Sequence, residues 1–531
     1  MTTVLEPDIP SEPSDGPLAA PAPEDAPGVP EDGPGPSSGG RGASPDGRGG
    51  SSRAEGAGVP SAEHADAPQD AVAPQDAVAA PDGDAAGSAG GVWSGRMLLP
   101  TLGIVLVVTL LAFEAMAVGT VMPVTARDLH GLPLYGWAFS ATLIASLLTT
   151  VLAGGWVDRS GPSRPLLAGL GLFVAGLAAA GAAPTMWTFI GARTLQGLGT
   201  GIAMVAVYVL IARVYAEELR PRVFAALSAA WVLPSLIGPA IGGLVAQHAG
   251  WRWVFLGLIP LVVPAAALMV PALRDVRPGE GAPRRIPASR YVAAVTVSGG
   301  AGVLLYGLQH PGLVMPVGVA VGLAALGFGL PKMLPAGTLR FRRGLPSVVL
   351  TRGLLSGAFF GMDVFIPLAL TSLHRFSPVE AGVVLTLGAL GWSAASQFQG
   401  RSARPRAFFA RLGAVLVTAG IAGAAVAVQF GGWLAAPAWV LGGAGMGFAI
   451  SSLSVLVLNE SPEEEQGVNS AALQIADNLG SSLFAGASGA LVAAVGTDHL
   501  GSGLAIASVL LTALAGTGVV AALRLTVRPA S

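Results

Sequence analysis

From residue 97 onward the chain is a succession of apolar runs of about 20 residues, separated by charge, Gly and Pro. Runs that long exceed what a soluble core needs. In lipid, moreover, each backbone N–H and C=O must find its partner inside the protein, so every run is expected to be a membrane-spanning helix. Six spans are expected near 97–122, 135–157, 165–183, 186–212, 223–247 and 251–273, and two more near 291–309 and 312–334. A second six follow near 348–371, 378–398, 406–429, 433–458, 467–493 and 500–523. The expected fold is an all-α polytopic membrane protein of about 14 spans. Hydrophobic residues make up 52% of the chain and charged ones 11%, with most of the charge between the runs. With no Cys there is no disulfide framework, thiolate nucleophile or Cys-ligated metal.

The spans repeat. LQGLGTGIAMVAVYVLIAR, Leu195 to Arg213, returns 246 positions later as LGGAGMGFAISSLSVLVLN, Leu441 to Asn459, with Gly197, Gly199 and Gly201 matched by Gly443, Gly445 and Gly447. The same offset aligns Phe113 and Met116 with Phe359 and Met362, and Ser235 and Gly243 with Ser481 and Gly489. One register across three helices implies a duplicated six-helix half, and parallel repeats of this kind build secondary transporters with the substrate between the halves. The expected division is a tail over 1–95, a first bundle over 96–274, two inserted helices with basic flanks over 275–345, and a second bundle over 346–531.

Residues 1–91 carry 16 acidic side chains against Arg41, Arg48 and Arg53, are rich in Pro, Gly and Ala, and repeat the hexamer APQDAV at Ala67 and Ala73. Such a segment cannot bury enough apolar surface to order itself, so it is expected to be a disordered, solvated leader. It has no basic n-region or apolar h-region, and the first insertion signal is expected in the helix after Arg96. Twenty-one Arg and Lys residues fall in the loops on one side of the expected topology and only Arg127, Arg252 and Arg375 in those on the other, so both termini are expected in the cytoplasm of a plasma-membrane protein. One cytoplasmic loop, with Glu460, Glu463, Glu464 and Glu465, lacks a base. There Ser461-Pro462-Glu463-Glu464 reads as a capping box opening a helix.

Three motifs follow in order. Between spans 2 and 3 lies GGWVDRSGPSR, in which Gly154 allows close helix approach, Asp158 can cap or pair, and Gly161 permits a tight turn. Span 4 carries Arg193, then Gln196, Gly197 and Gly199, and an intramembrane guanidinium demands a partner. Without a preceding strand, these glycines read as helix packing rather than a dinucleotide loop. Span 5 contains Gly238-Pro239 followed by Gly242-Gly243, where Pro239 removes a backbone donor and the small residues admit a neighbour.

These motifs resemble those of the major facilitator superfamily, and the whole of 97–523 resembles its fourteen-helix drug:proton antiporters. The resemblance implies that Gly154, Asp158, Arg159 and Gly161, with Arg164 displaced from its usual place, form a loop that latches the outward-open state. It also implies that Gly238, Pro239, Gly242 and Gly243 form an antiporter motif. Pro162 and Ser163 stand where the family has bases, and Pro234 where it has Gly.

Ionisable residues in the runs divide by depth. Arg352 and Glu380 sit near span ends and are expected to snorkel. Glu114, Arg193 and Asp363 lie about 10–12 Å from their expected span ends, in one layer, and Asp477 about 15 Å deep. Glu114 is either a permanent partner of Arg193 or an acid that cycles its proton as Arg193 moves, since burial favours the neutral acid and a guanidinium favours the carboxylate. Asp363 and Asp477 are further proton-coupling candidates, although Asn478, Ser481 and Ser482 could satisfy Asp477 locally. Candidate substrate-lining residues are Met116, Trp137, Trp231, Phe360 and Trp392. His130, His248, His310, His374 and His499 ring the outer loops without a metal-ligand spacing.

The expected function is export of amphipathic small molecules, cations among them, driven by the proton gradient, with no cofactor, metal, nucleic acid or catalytic residue, and as a monomer. An uptake symporter of the same fold is the alternative, and a non-transporting receptor the remoter one. Deletion of residues 2–91 is expected to leave membrane abundance and transport nearly intact. Loss of transport at unchanged abundance would assign the tail a working role.

Overall fold

The computed structural model describes residues 92–93, 95–216, 219–275, 287–462 and 465–526. The acidic tail up to residue 91 lies outside them, as do Arg277, Arg284, Arg285, Glu463, Glu464 and Arg528. Among the described residues there is no strand, and fourteen helical segments are long and apolar enough to cross a membrane. They are α1 (Leu98–Asp128), α2 (Tyr135–Ser160), α3 (Ser163–Gly181), α4 (Met186–Val214), α5 (Arg220–His248), and a sixth span made of α6 (Arg252–Leu256) and α7 (Ile259–Asp275). Then come α8 (Ala288–Gln309), α9 (Val314–Gly329), α10 (Leu345–Leu373), α11 (Pro378–Arg401), α12 (Arg406–Phe430), α13 (Ala435–Asn459), α14 (Gln466–Val495) and α15 (Leu500–Leu523).

The two sets of six pack alike. In the first, α4 lies against α2 and α3 while α1 lies against α5 and α7; in the second, α13 lies against α11 and α12 while α10 lies against α14 and α15. Helices α8 and α9 pack on each other, and α8 also touches α2 and α14. A separate apolar cluster there joins Leu147, Ala293, Val297, Leu326, Ile475 and Leu479.

Lipid tails are as apolar as leucine, so helices associate in a membrane through close packing, and small residues permit it. A β-carbon on Gly197 of α4 would run into the Thr142 carbonyl of α2, and one on Gly443 of α13 into the carbonyl of Gly388, the repeat mate of Thr142 on α11. Gly201 and Gly447 likewise abut the carbonyls of Ser146 and its mate Trp392. The glycine run that defines the sequence repeat is therefore the seam of each half.

Because the spans are even in number, the first helix begins and the last ends on one face of the bundle, here the near face. The halves meet toward the other, far face. Arg127 donates to Thr371 Oγ1 at 3.1 Å and Ser372 Oγ at 2.8 Å. The Tyr135 hydroxyl donates to the Val364 carbonyl at 2.9 Å, and Ser140 Oγ to the Ser482 carbonyl at 2.7 Å. Gly136 of α2 faces Gly486 and Gly489 of α14, while Gly243 of α5 faces the backbone of Pro378 on α11. Toward the near face, α5 leaves Trp231 and Leu233 exposed.

Helix α14 begins at Gln466, and the expected capping box of Ser461 with Glu464 falls partly outside the described residues. The Ser461 hydroxyl donates back to the Val457 carbonyl of α13 and accepts from Asn469 Nδ2 at 3.0 Å, so it is already committed on both sides. A capping box does form at α11, where Ser377 and Glu380 bond each other's backbone N–H, at 2.7 and 3.2 Å. Glu380 is thus engaged at a helix start rather than snorkelling.

Gly443→Val should lower the stability of the purified protein by about 1–3 kcal/mol through overpacking of the α11–α13 seam. Gly171→Val, where a β-carbon meets open space, should stay within about 0.5 kcal/mol. Thermal unfolding in detergent compares the two, and equal losses would remove the seam from the account.

Candidate functional site

Arg193 is 4% exposed inside the first half, and its partners are built from three helices. Its guanidinium NH1 pairs with Glu114 Oε1 of α1 and donates to Gln196 Oε1, one turn along α4, while Nε donates to the Ala138 carbonyl of α2 at 3.2 Å. Thr142 Oγ1 in turn holds the Arg193 carbonyl at 3.1 Å. A guanidinium out of water needs an anion and further acceptors together, and this arrangement supplies both. Glu114 is likewise 4% exposed, so the pair is shut off from solvent. The amide nitrogen of Gln196 is buried beside it with no hydrogen-bond partner.

Asp363 does not join them. It lies half-buried on α10, with the Trp439 indole of α13 and Tyr135 at the start of α2 as its polar neighbours. The expectation of three charges in one layer took span ends from the apolar runs, but α1 continues to Asp128 and α10 to Leu373. Glu114 is fourteen residues from its helix end and Asp363 ten, a stagger of about 6 Å at 1.5 Å per residue.

The repeat register relates the two sites. Trp439 is the repeat mate of Arg193 and Phe360 that of Glu114, while Asp363 lies one turn beyond Phe360. The second half thus sets an acid against an N–H donor on equivalent helices, with the acid moved one turn and the guanidinium replaced by a neutral indole. Sequence reasoning missed Trp439. The signal was the offset of 246 positions.

Asp477 and Arg352 also read differently from the sequence expectation. Arg352 does not snorkel; its Nε donates to Asp477 Oδ1 at 2.7 Å, with both side chains 13% exposed. Ser356 Oγ bonds the same oxygen and Gln474 Nε2 the other, at 3.3 Å. Asn478 and Ser482 turn elsewhere, to Gln474 and to the Leu479 carbonyl. Asp477 already has a cation, from a helix 125 residues away in sequence.

On α5, Gly238 lies against Met116 and Gly242 against Ala117 of α1, while the Pro239 carbonyl meets Gly382 and Gly243 meets Pro378 across the halves. The motif packs α5 between α1 and α11. In the loop after α2, Gly161 takes a positive φ of 76°, as the tight turn requires. Asp158 neither caps a helix nor forms an ion pair among the described residues, and Arg159 and Arg164 are exposed.

Phe360 and Trp392 adjoin each other, with ring centroids 6.2 Å apart, and Phe359 touches both while stacking on Trp439 at 4.5 Å. Trp231 is 40% exposed on α5. Trp137 is set apart, facing a groove of about 670 Å³ lined with Val303, Tyr306 and Val317 of the inserted helices. The five His residues form no metal-binding cluster among the described residues.

The model of the Major Facilitator Superfamily matches residues 104–485, and the chain belongs to that family. It is 28% identical over 432 residues to a probable multidrug-efflux transporter of Mycobacterium tuberculosis, covering 77% of this chain and 90% of that protein. The multidrug efflux pump SdrM of Staphylococcus aureus is 22% identical over 304 residues, 56% of this chain and 67% of the pump. The solved structure of the POT family transporter PepTSo superposes with a TM-score of 0.59 at 13% identity, covering 79% of this chain and 96% of that one, which is a likeness of fold. The protein is a multi-pass membrane transporter, not an enzyme.

Arg193→Met should destabilise the purified protein by about 3–5 kcal/mol near neutral pH, because it strands a buried carboxylate. Glu114→Gln combined with Arg193→Met should recover part of that loss, and the deficit of the single variant should shrink at acidic pH, where the stranded carboxylate is neutral. Thermal melts of the three proteins from pH 5 to 8 read this out. A deficit independent of pH would refute the ion pair as its source.

Proposed function

We propose that this transporter exports amphipathic small molecules, cations among them, in exchange for protons by alternating access, with Glu114 as the proton-binding acid. The observation that carries the reading is the buried Glu114–Arg193 pair. A carboxylate 4% exposed, held by one guanidinium, has two stable situations: ionised against Arg193, or protonated when Arg193 turns away. The Gln196 amide nitrogen, buried beside the pair without a partner, is free to take up the acid when Arg193 turns away.

Direction comes from the α5 motif, whose glycines and proline touch both halves at once, and from the relatives named for efflux. With the basic loops in the cytoplasm, the near face is the inner one, and a bundle joined at its far face is an inward-facing state. The unpaired Asp158 fits that state, since the loop it belongs to is the family's outward-open latch. The working unit is proposed to be a monomer in the plasma membrane, using the proton gradient and no cofactor.

In vesicles of controlled internal and external pH, Glu114→Gln should lose pH-driven export while keeping downhill movement of neutral substrates, and Glu114→Asp should keep partial coupling with a displaced pH profile. Wild-type pH dependence in a well-inserted Glu114→Gln protein would remove Glu114 from the proton path. Pro239→Ala and Gly243→Leu should each leak protons or lose counterflow, through a straightened helix and a forced interface. Unchanged counterflow with no leak in both would end the antiporter reading of α5.

A further inference from the structure

Three acids lie well away from the ends of their spans, Glu114, Asp363 and Asp477, and their electrostatic situations differ. Glu114 is neutralised by Arg193 and Asp477 by Arg352. Asp363 has no ion pair among the described residues, and the polar group beside it, the Trp439 indole, carries no charge. Of the other charged groups on helices packed against α10, Arg340 and Arg401 are exposed at helix ends and the rest are committed elsewhere. Arg127 bonds Thr371 and Ser372, Arg411 bonds the Ala522 and Leu525 carbonyls, Arg406 bonds the Gln399 carbonyl, and Glu380 sits in its capping box. Tyr135, nearest from α2, spends its hydroxyl proton on the Val364 carbonyl.

An ionised carboxylate in a membrane span without a counter-cation is costly, so the site has to acquire positive charge from outside the protein or stay neutral. What surrounds Asp363 decides which kind of cation suits it. Phe359, Phe360 and Asp363 are on one face of α10, at spacings of four and three residues, which are neighbours on a helix. Trp392 of α11 adjoins them, with centroids 5.9 Å from Phe359 and 6.2 Å from Phe360, and Trp439 of α13 stacks on Phe359 at 4.5 Å. Phe359 and Trp439 are buried and form the floor, whereas Asp363, Phe360 and Trp392 keep half-buried, accessible faces. Ring faces attract a delocalised, weakly hydrated cation, and desolvation strengthens that attraction; a small strongly hydrated ion gains less.

We infer that Asp363, Phe360 and Trp392, floored by Phe359 and Trp439, form a binding site for a bulky organic cation, distinct from the Glu114–Arg193 proton site. This assignment rests on the exporter reading and divides its labour: the first half handles the proton, the second the charge of the cargo. The repeat register makes the division concrete, because Arg193, which would repel such a cation, has Trp439 as its mate.

The test uses the full-length protein in nanodiscs at pH 8, with tetraphenylphosphonium as the cation and triphenylphosphine oxide as a neutral probe of similar shape, by equilibrium binding. Asp363→Asn should weaken phosphonium binding about tenfold or more while leaving the oxide within about twofold, since only the charged probe loses its counter-ion. Asp363→Glu should restore most of the affinity, and Gly171→Val, where a β-carbon meets open space, should change neither probe. The assignment is overturned if Asp363→Asn leaves phosphonium within twofold of wild type or if both probes weaken equally. Should Asp363→Asn not survive purification, Trp392→Leu carries the test: it keeps the carboxylate, and phosphonium must weaken more than the oxide. A wild type that exports neutral compounds against a pH gradient yet binds no phosphonium sinks this site alone. One that binds phosphonium but moves nothing sinks the exporter reading and leaves the site.

Discussion

Helices in a bilayer gain little from hiding apolar surface from one another, because the surrounding lipid is equally apolar. What holds this bundle is backbone proximity, and Gly197 and Gly201, repeated as Gly443 and Gly447, are among the places where it is tightest. The consequences run outward from that seam. With α4 pressed on α2, the Ala138 carbonyl and Thr142 hydroxyl come within reach of Arg193, one turn before Gly197. With α13 pressed on α11, Trp392 and Trp439 are brought to the same side of α10. The packing residues thereby place the chemical ones.

The duplicated halves have kept the first set and exchanged the second. A glycine at a seam is constrained by a carbonyl on the opposing helix, and replacing it requires that the opposing backbone move as well. A side chain facing an internal space is constrained only by its charge balance. Hence Gly197 and Gly443 coincide in the register while Arg193 became Trp439 and Glu114 became Phe360. Moving the acid to Asp363 preserved an acid–donor contact between equivalent helices but removed the compensating charge. Pseudo-symmetric architecture and asymmetric electrostatics are in this way compatible, and the asymmetry is what separates two ligands of like charge.

The spans were legible because length and apolarity are properties of a single segment, and lipid leaves the backbone no alternative to a helix. Their ends were less so: α1 runs on through Arg127 and Asp128 because a helix need not stop where the hydrocarbon does. The Glu114–Arg193 partnership followed from the cost of a buried guanidinium, a local argument. Arg352–Asp477 did not, since each residue taken alone had a sufficient local explanation, snorkelling in one case and nearby hydroxyls in the other. Trp137 was expected between the halves, whereas it faces α8 and α9. A helix that is apolar all round carries no stripe to mark which face is lipid, neighbour or cavity, so aromatic identity alone could not orient it.

The far-face junction bears on how such a bundle could change state. Among the described residues the hydrogen bonds that join the halves there are few: two from Arg127, one from Tyr135 and one from Ser140. At a net worth of about 0.5–1.5 kcal/mol each, breaking all four costs a few kcal/mol. Moving a two-state equilibrium from 1:99 to 99:1 takes about 5.5 kcal/mol of differential binding, so a proton and a cargo that prefer different states supply energy on the same scale as the junction. The Gly197 and Gly443 seams lie within each half and need not open, whereas the contacts of Gly243 with Pro378 and of Gly136 with Gly489 cross the junction. Strong packing inside the halves and sparse polar contacts between them is the distribution that lets ligand charge, rather than hydrophobic area, decide which face is closed.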